Sequence, residues 1–246
     1  MSTLLLRLAG PLQAWGDGSR FTRRDTATTP TKSGVLGLLA AAQGRRRTDP
    51  LEDLVGLRFG VRVDQPGRLV TDFQTAIDWA KKVSMPLSYR YYLEDAVFVA
   101  GVEGDSDFLR TLREALLEPA YPLYLGRRSC PVTGQLILGM VDRSLEQALR
   151  EVPWQAAHWY RRSRRKDPPQ HLTVAVDADP QTIGPVETVR DVPISFDVAR
   201  RQYGWRDLER LQVPNPDPAS REVAVDRLAP GDGLTDDLFA TVEEAQ

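Results

Sequence analysis

Leu57-Arg-Phe-Gly-Val-Arg-Val63 sets apolar residues at every second position, the period of a half-buried strand. Gln65-Pro-Gly-Arg68 is a turn, and Leu69–Ile77 reads as the next strand. Upstream, Ser33 can cap a helix over Gly34–Ala42 that ends at Gly44, and Thr3–Leu8 is a short strand stopped by Gly10-Pro11. Downstream, Tyr89–Leu93 and Ala96–Ala100 are extended, Asp105 can cap a helix across Phe108–Leu117, and an apolar run covers Gln135–Val141. This order predicts an α+β chain with a ferredoxin-like, RRM-like βαββαβ domain over 1–145. Residues 78–88 interrupt two strands, so a protruding hairpin or flexible arm is expected at about 78–92. Leu172–Val176, Pro185–Arg190 and Arg201–Val213 predict a small β-rich C-terminal region over 146–230, followed by an acidic tail at 231–246.

The chain has 246 residues, 41% apolar and 27% charged, which fits a globular protein and excludes a disordered one. No apolar run reaches the roughly 18 residues of a membrane span, and Leu4-Leu-Leu6 is too short for a signal peptide. The single cysteine, Cys130, excludes an internal disulfide framework, and the chain reads as cytoplasmic, without a membrane partner. A net charge of −2 hides strong segregation. Residues 1–47 carry eight cations against two carboxylates; residues 161–166 hold five cations; residues 217–246 carry eight carboxylates against two arginines. Such asymmetry permits a basic face that meets phosphate. Of the 32 cations only 4 are lysine, and arginine suits bidentate phosphate contact and stacking.

Residues 10–32 form a long loop without periodicity, and loops of that length tend to be functional. Within it Trp15 and Phe21 offer stacking faces, and Arg20, Arg23 and Arg24 can hold phosphates. Lys32 and Ser33 stand at a helix N-terminus, where free N–H groups attract anions. Ser33 reads equally as a plain N-cap, and Trp15 as a half-buried packing residue. Gly126-Arg-Arg-Ser-Cys-Pro131 is a second glycine–arginine loop. The arm interleaves Trp79, Lys81, Lys82, Tyr89, Arg90, Tyr91 and Tyr92, a pattern suited to single-stranded RNA. No metal-ligand spacing, P-loop or GxGxxG occurs, so no cofactor or metal is expected. His158 and His171 bracket the basic run; with a lysine or tyrosine they are the acid–base pair of an alternative reading, an endoribonuclease.

GPLQAWG at 10–16, RDTATTPTKSG at 24–34, GLLAAAQG at 37–44, DFQT at 72–75, SYRYYL at 88–93 and PLYLGRRSCP at 122–131 resemble the CasD subunits of type I-E CRISPR Cascade complexes, in the RAMP superfamily. The resemblance implies an RRM-like domain with a thumb at 78–92. It also implies a noncatalytic subunit that holds the 5′ handle of the CRISPR RNA in antiviral defence. Such a subunit caps one end of the assembly against the large and backbone subunits, and meets target DNA indirectly through the complex. The loops, the arm and the resemblance together give the expected RNA-contact residues: Gln13, Trp15, Arg20, Arg23, Arg24, Lys32, Ser33, Gln74, Tyr89, Arg90, Tyr91, Gly126, Arg127, Arg128, Ser129 and Cys130. No catalytic residue is carried over. Because Leu4, Leu6 and Leu8 dominate the first strand, the RNA is expected along the loops and thumb and not across the sheet.

Overall fold

A computed structural model describes residues 1–16, 22–179, 181 and 184–216. Arg20, Phe21 and the acidic tail lie outside the described residues. In chain order the elements are β1 (Ser2–Ala9), β2 (Leu12–Gln13), β3 (Arg23–Arg24), α1 (Lys32–Ala42), α2 (Glu52–Val55), β4 (Arg58–Gln65), β5 (Arg68–Gln74), β6 (Ile77–Asp78), β7 (Val83–Ser84), β8 (Ser88–Glu94), β9 (Val97–Gly104), α3 (Ser106–Leu117), β10 (Ile137–Val141), α4 (Leu145–Glu151), α5 (His158–Ser163), β11 (His171–Asp177), β12 (Val186–Ser195) and β13 (Gln202–Pro214). The architecture is α+β, rich in sheet, with few helices.

The main sheet has seven strands in the order β10-β1-β9-β4-β11-β13-β12, every pair antiparallel. The C-terminal strands therefore extend the same sheet, because β11 pairs directly with β4. One face is covered by α1 and α3. Leu4, Leu6 and Leu8 of β1 pack there with Leu36, Leu39, Phe59, Phe98, Leu109 and Leu112, all fully buried. Side chains on a strand alternate, so Leu5 points the other way, into a second cluster with Val99, Leu145, Leu149, Trp154 and Val174. Two buried faces explain the unbroken Leu4-Leu-Leu6.

The second face is sealed by α4 and the segment that follows it. Arg62, fully buried, bonds Asp64 through Nε (2.7 Å) and Nη2 (2.9 Å), and its remaining N–H groups donate to the carbonyls of Leu149, Val152 and Pro153 (2.7, 2.7 and 2.9 Å). All five guanidinium protons are thus satisfied, as burial of a charge requires. Trp154 Nε1 and the Gln155 N–H complete the clasp on Asp64. No helix among the described residues is long and apolar enough to cross a membrane.

Helix α1 starts two residues before the expected Gly34. Its cap is Thr31, whose Oγ1 accepts from the Gly34 N–H (3.2 Å). Ser33 is inside the helix and buried. Asp105 caps α3 as its sequence suggests, accepting from the Asp107 and Phe108 N–H groups. The expected interruption at 78–88 belongs to a longer ribbon: β5 and β8 pair from Arg68↔Glu94 to Gln74↔Ser88, and β6–β7 continue toward the tip.

Candidate nucleic-acid interface

The ribbon β5–β8 rises from the turn at 66–67 and carries two different faces. β8 also pairs with β3 in parallel, Arg23 opposite Tyr89 and Arg24 opposite Arg90. Alternation then sorts the side chains. Arg23, Tyr89, Tyr91, Thr71 and Phe73 share one face, and Arg24, Arg90, Ser88, Asp72 and Gln74 share the other. On the first face Phe73 is 67% and Tyr89 45% exposed, and the Arg23 guanidinium lies 5.2 Å from the centre of the Tyr91 ring. Exposed aromatic rings beside a cation form a stacking platform.

The second face opens on a cleft of about 390 Å³. Its polar wall is Thr22, Arg24, Gln74, Ser88 and Arg90, and its apolar wall includes Met85 and Pro86. Arg90 Nε is buried there without a hydrogen-bond partner. A buried donor left unpaired costs on the order of 1–3 kcal/mol, which an acceptor brought to Arg90 would offset.

The loop 126–131 stands beside the base of the ribbon. It is a tight turn in which the Leu125 N–H donates to the Cys130 carbonyl (2.7 Å) and the Ala14 N–H to the Leu125 carbonyl (3.1 Å). Gly126 has φ +88°, and a Cβ there would sit 1.7 Å from the Ala14 carbonyl oxygen, so only glycine fits. Arg127 is a strut: Nη1 donates to the Tyr91 carbonyl (2.9 Å), Nη2 to the Arg24 and Asp25 carbonyls (2.8 and 3.3 Å), and the guanidinium covers Tyr92 at 4.6 Å. It locks β3, β8 and the loop together. Arg128 and Ser129 remain exposed.

The expected contact residues thus fall into two groups. Arg23, Arg24, Gln74, Tyr89, Arg90, Tyr91, Gly126, Arg128 and Ser129 lie at the surface of the ribbon and loop, with Arg127 bracing them. Gln13, Trp15, Lys32, Ser33 and Cys130 are buried, and their side chains serve the fold in this structure. Gln13 Nε2 donates to the Leu8 and Ala96 carbonyls (3.2 and 2.7 Å), and its Oε1 accepts from Trp15 Nε1 (3.1 Å). Trp15 is wholly buried against Gly34, where any Cβ would meet its ring at 2.7 Å. Lys32 Nζ bonds Asp177 Oδ2 (2.8 Å), and its backbone N–H donates to Asp191 Oδ2 (2.8 Å), so a carboxylate of the fold already occupies the anion position at the start of α1. Arg206 joins both carboxylates at 2.6 Å; burial alone would lower its guanidinium, but Asp191 and Asp177 hold it above its ordinary value. Burial pushes the Cys130 thiol up, away from the reactive thiolate.

Thr22, Met85 and Pro86 are additions that sequence does not single out; the parallel pairing of β3 with β8 creates their neighbourhood. His158 and His171 are exposed, at the start of α5 and of β11.

Residues 3–209 match the family model described as CRISPR-associated protein (Cas_Cas5). The CRISPR system Cascade subunit CasD of Escherichia coli (strain K12) is 38% identical over 163 residues, covering 58% of this chain and 73% of that one. A crystal structure of a Cas protein superimposes with a TM-score of 0.69 at 39% identity, over 87% of this chain and 95% of the other. A chain of a CRISPR RNA-guided surveillance complex gives 0.70 at 33% identity, over 86% and 91%.

Proposed function

The chain belongs to the CRISPR-associated Cas5 family, and from that premise we propose that it is a noncatalytic Cascade subunit that grips the 5′ handle of the CRISPR RNA on its ribbon and loop. In this role it caps one end of the assembly, between the large and backbone subunits, and meets target DNA indirectly through the complex. The observation that carries the reading is the cleft of about 390 Å³ in which Arg24 and the unpartnered Arg90 converge. That volume lies within the roughly 300–1,000 Å³ of small-ligand sites, enough for one flipped nucleotide. Arg24, Arg90 and Arg128 would hold phosphates, while Phe73, Tyr89 and Tyr91 offer faces to unstacked bases. A repeat-derived handle is constant, so a fixed cleft can read it. The order β10-β1-β9-β4, with α1 and α3 in the crossovers, supports a ferredoxin-like βαββαβ unit underneath. Its sheet is covered on both faces, which supports binding at the loops.

The test compares wild-type protein and an Arg24→Ala/Arg90→Ala variant for binding to labelled CRISPR RNA with an intact or a scrambled handle. Loss of two charge-assisted contacts should weaken binding by about 10- to 100-fold on the intact handle, and by less on the scrambled one, which does not seat in the cleft. Equal binding by both proteins, or no preference for the intact handle, would overturn the reading. Labelled repeat RNA should also stay whole on incubation; specific cleavage would replace the noncatalytic assignment with the endoribonuclease one.

A further inference from the structure

The run Arg161-Arg162-Ser163-Arg164-Arg165-Lys166 has no part in the site above. It occupies the end of α5 and the turn beyond. The segment is pinned at the sheet end from which the ribbon rises: the Ala157 N–H donates to Gln65 Oε1 (3.0 Å) at the last residue of β4. The β4–β11 register brings His171, where the segment re-enters the sheet, to the same level. The helix rests on the second cluster through Tyr160, whose ring meets Trp154 edge-on at 6.3 Å.

Three features distinguish this patch from a merely solvated loop. First, no ion pair among the described residues involves Arg161, Arg162, Arg164, Arg165 or Lys166. Second, Arg161 Nε is buried without an acceptor. Arg7 of β1 lies within its field: burial lowers the Arg7 guanidinium, Asp64 opposes the shift and Arg161 adds to it. Like charges are thus held together against their repulsion. Third, the indole of Trp159 is 55% exposed, edge-on to Tyr160 at 5.8 Å, while Arg164 covers the same tyrosine at 5.6 Å.

We propose that α5 and its turn form a second nucleic-acid contact, independent of the handle site, in which Arg161–Lys166 neutralise consecutive phosphates of a single strand and Trp159 stacks on one of its bases. Four of the five cations are arginine, whose planar fork suits phosphate and whose field does not depend on base identity. An exposed indole beside them favours unpaired bases over a duplex or an acidic protein surface. The contact is therefore sequence-independent.

The experiment measures anisotropy of labelled oligo-U and oligo-dT of about 20 nucleotides, neither containing a handle, on the full chain. Titrations run from about 50 to 200 mM salt. An Arg162→Ser/Arg164→Ser/Arg165→Ser/Lys166→Ser variant changes only exposed side chains. It should bind at least about 10-fold more weakly, with the slope of log K against log salt shallower by about 2 to 3, near 0.7 per lost phosphate contact. Replacing the three arginines by lysine should restore the slope. Trp159→Ala should weaken binding about 5-fold or more and leave the slope unchanged. Arg24→Ala/Arg90→Ala should leave these handle-free strands bound, so failure here is distinct from failure of the handle reading. Tighter binding of oligo-U or of oligo-dT assigns the contact to RNA or to DNA. An unchanged slope in the quadruple variant, or displacement of the strand by an equal concentration of polyglutamate of similar length, would overturn the proposal.

Discussion

Lys32→Met separates a phosphate-binding lysine from a structural one. The ammonium is buried, 2.8 Å from Asp177 Oδ2. At an effective dielectric of about 20, that pair attracts by roughly 6 kcal/mol. Removing the lysine also removes its own desolvation cost, several kcal/mol, which offsets much of this. Asp177 would not be stranded, because Arg206 Nη1 (2.6 Å) and the Phe59 N–H (2.9 Å) still donate to it. The quartet of Lys32, Arg206, Asp177 and Asp191 would nevertheless change from neutral to one net negative charge inside the protein. The expected cost is about 2–4 kcal/mol, below the 3–5 kcal/mol of a fully orphaned buried charge. For a chain of this size that lowers Tm by about 5–15 °C. Thermal unfolding followed by circular dichroism reads this directly. RNA affinity, measured well below the variant's Tm, should keep its salt dependence. An unchanged Tm together with a salt slope shallower by about 0.7 would refute the buried-quartet argument and return Lys32 to the RNA surface.

Gly126→Ala must force a positive φ on alanine and push a Cβ into the Ala14 carbonyl, so Tm should fall by at least about 5 °C and the Ala14 amide should exchange faster; an unchanged exchange rate would contradict the packing. Arg127→Ala loosens β3 from β8 and should weaken handle binding without changing the salt slope, whereas Arg128→Ala should make the slope shallower by about 0.7; the opposite assignment of slopes would reverse their roles. Burial raises the Cys130 thiol, so its stabilising contribution is full below the ordinary value of 9.0 and is lost as pH rises through the higher folded value. Urea midpoints should therefore decline as pH rises above 9.0 in the wild type and less so in Cys130→Ser, and iodoacetamide at neutral pH should leave the folded thiol unmodified.

The strands and helices with strong local signals are legible in the sequence. Asp105 before an amphipathic run specifies α3, and alternation over 57–63 specifies β4, because those signals are carried by neighbours in the chain. Helix α4 is legible too: Ser144 and Gln147 sit at capping spacing, with apolar Leu145, Ala148 and Leu149 on one side, but a boundary expected near 145 conceals it. What sequence cannot supply is the partner across the chain. Lys32 and Trp15 carry the chemistry of RNA contacts. Only the arrival of Asp177 and Asp191, about 150 residues later in the chain, and of Gly34 under the indole turns them inward. Arg127 and Arg128 are indistinguishable in sequence; one finds three carbonyls and the other none.

Where RNA can lie follows from which surfaces the fold leaves open. An RRM reads bases on the sheet face away from its helices. Here Gly60 and Gly101 let α4 settle on that face so closely that a Cβ at either would meet Leu149 or Leu145 within 3 Å. Arg62 then fastens the end of α4 and the chain after it with three hydrogen bonds, to the carbonyls of Leu149, Val152 and Pro153. The helices occupy the opposite face, and β11 covers the β4 edge. Exposed aromatic rings and cations gather at one end of the sheet, on β3, β8, the loop at 126–131 and α5, while a separate exposed ring, Trp205, stands on β13. The chain holds its arginines there in two ways: Arg127 and Arg62 are consumed by carbonyls and carboxylates of the fold, so that Arg24, Arg90 and Arg128 are presented on a rigid frame. A near-neutral chain can thus offer a concentrated positive surface, because its carboxylates neutralise interior arginines such as Arg62 and Arg206, while Arg24, Arg90 and Arg128 have no ion pair among the described residues.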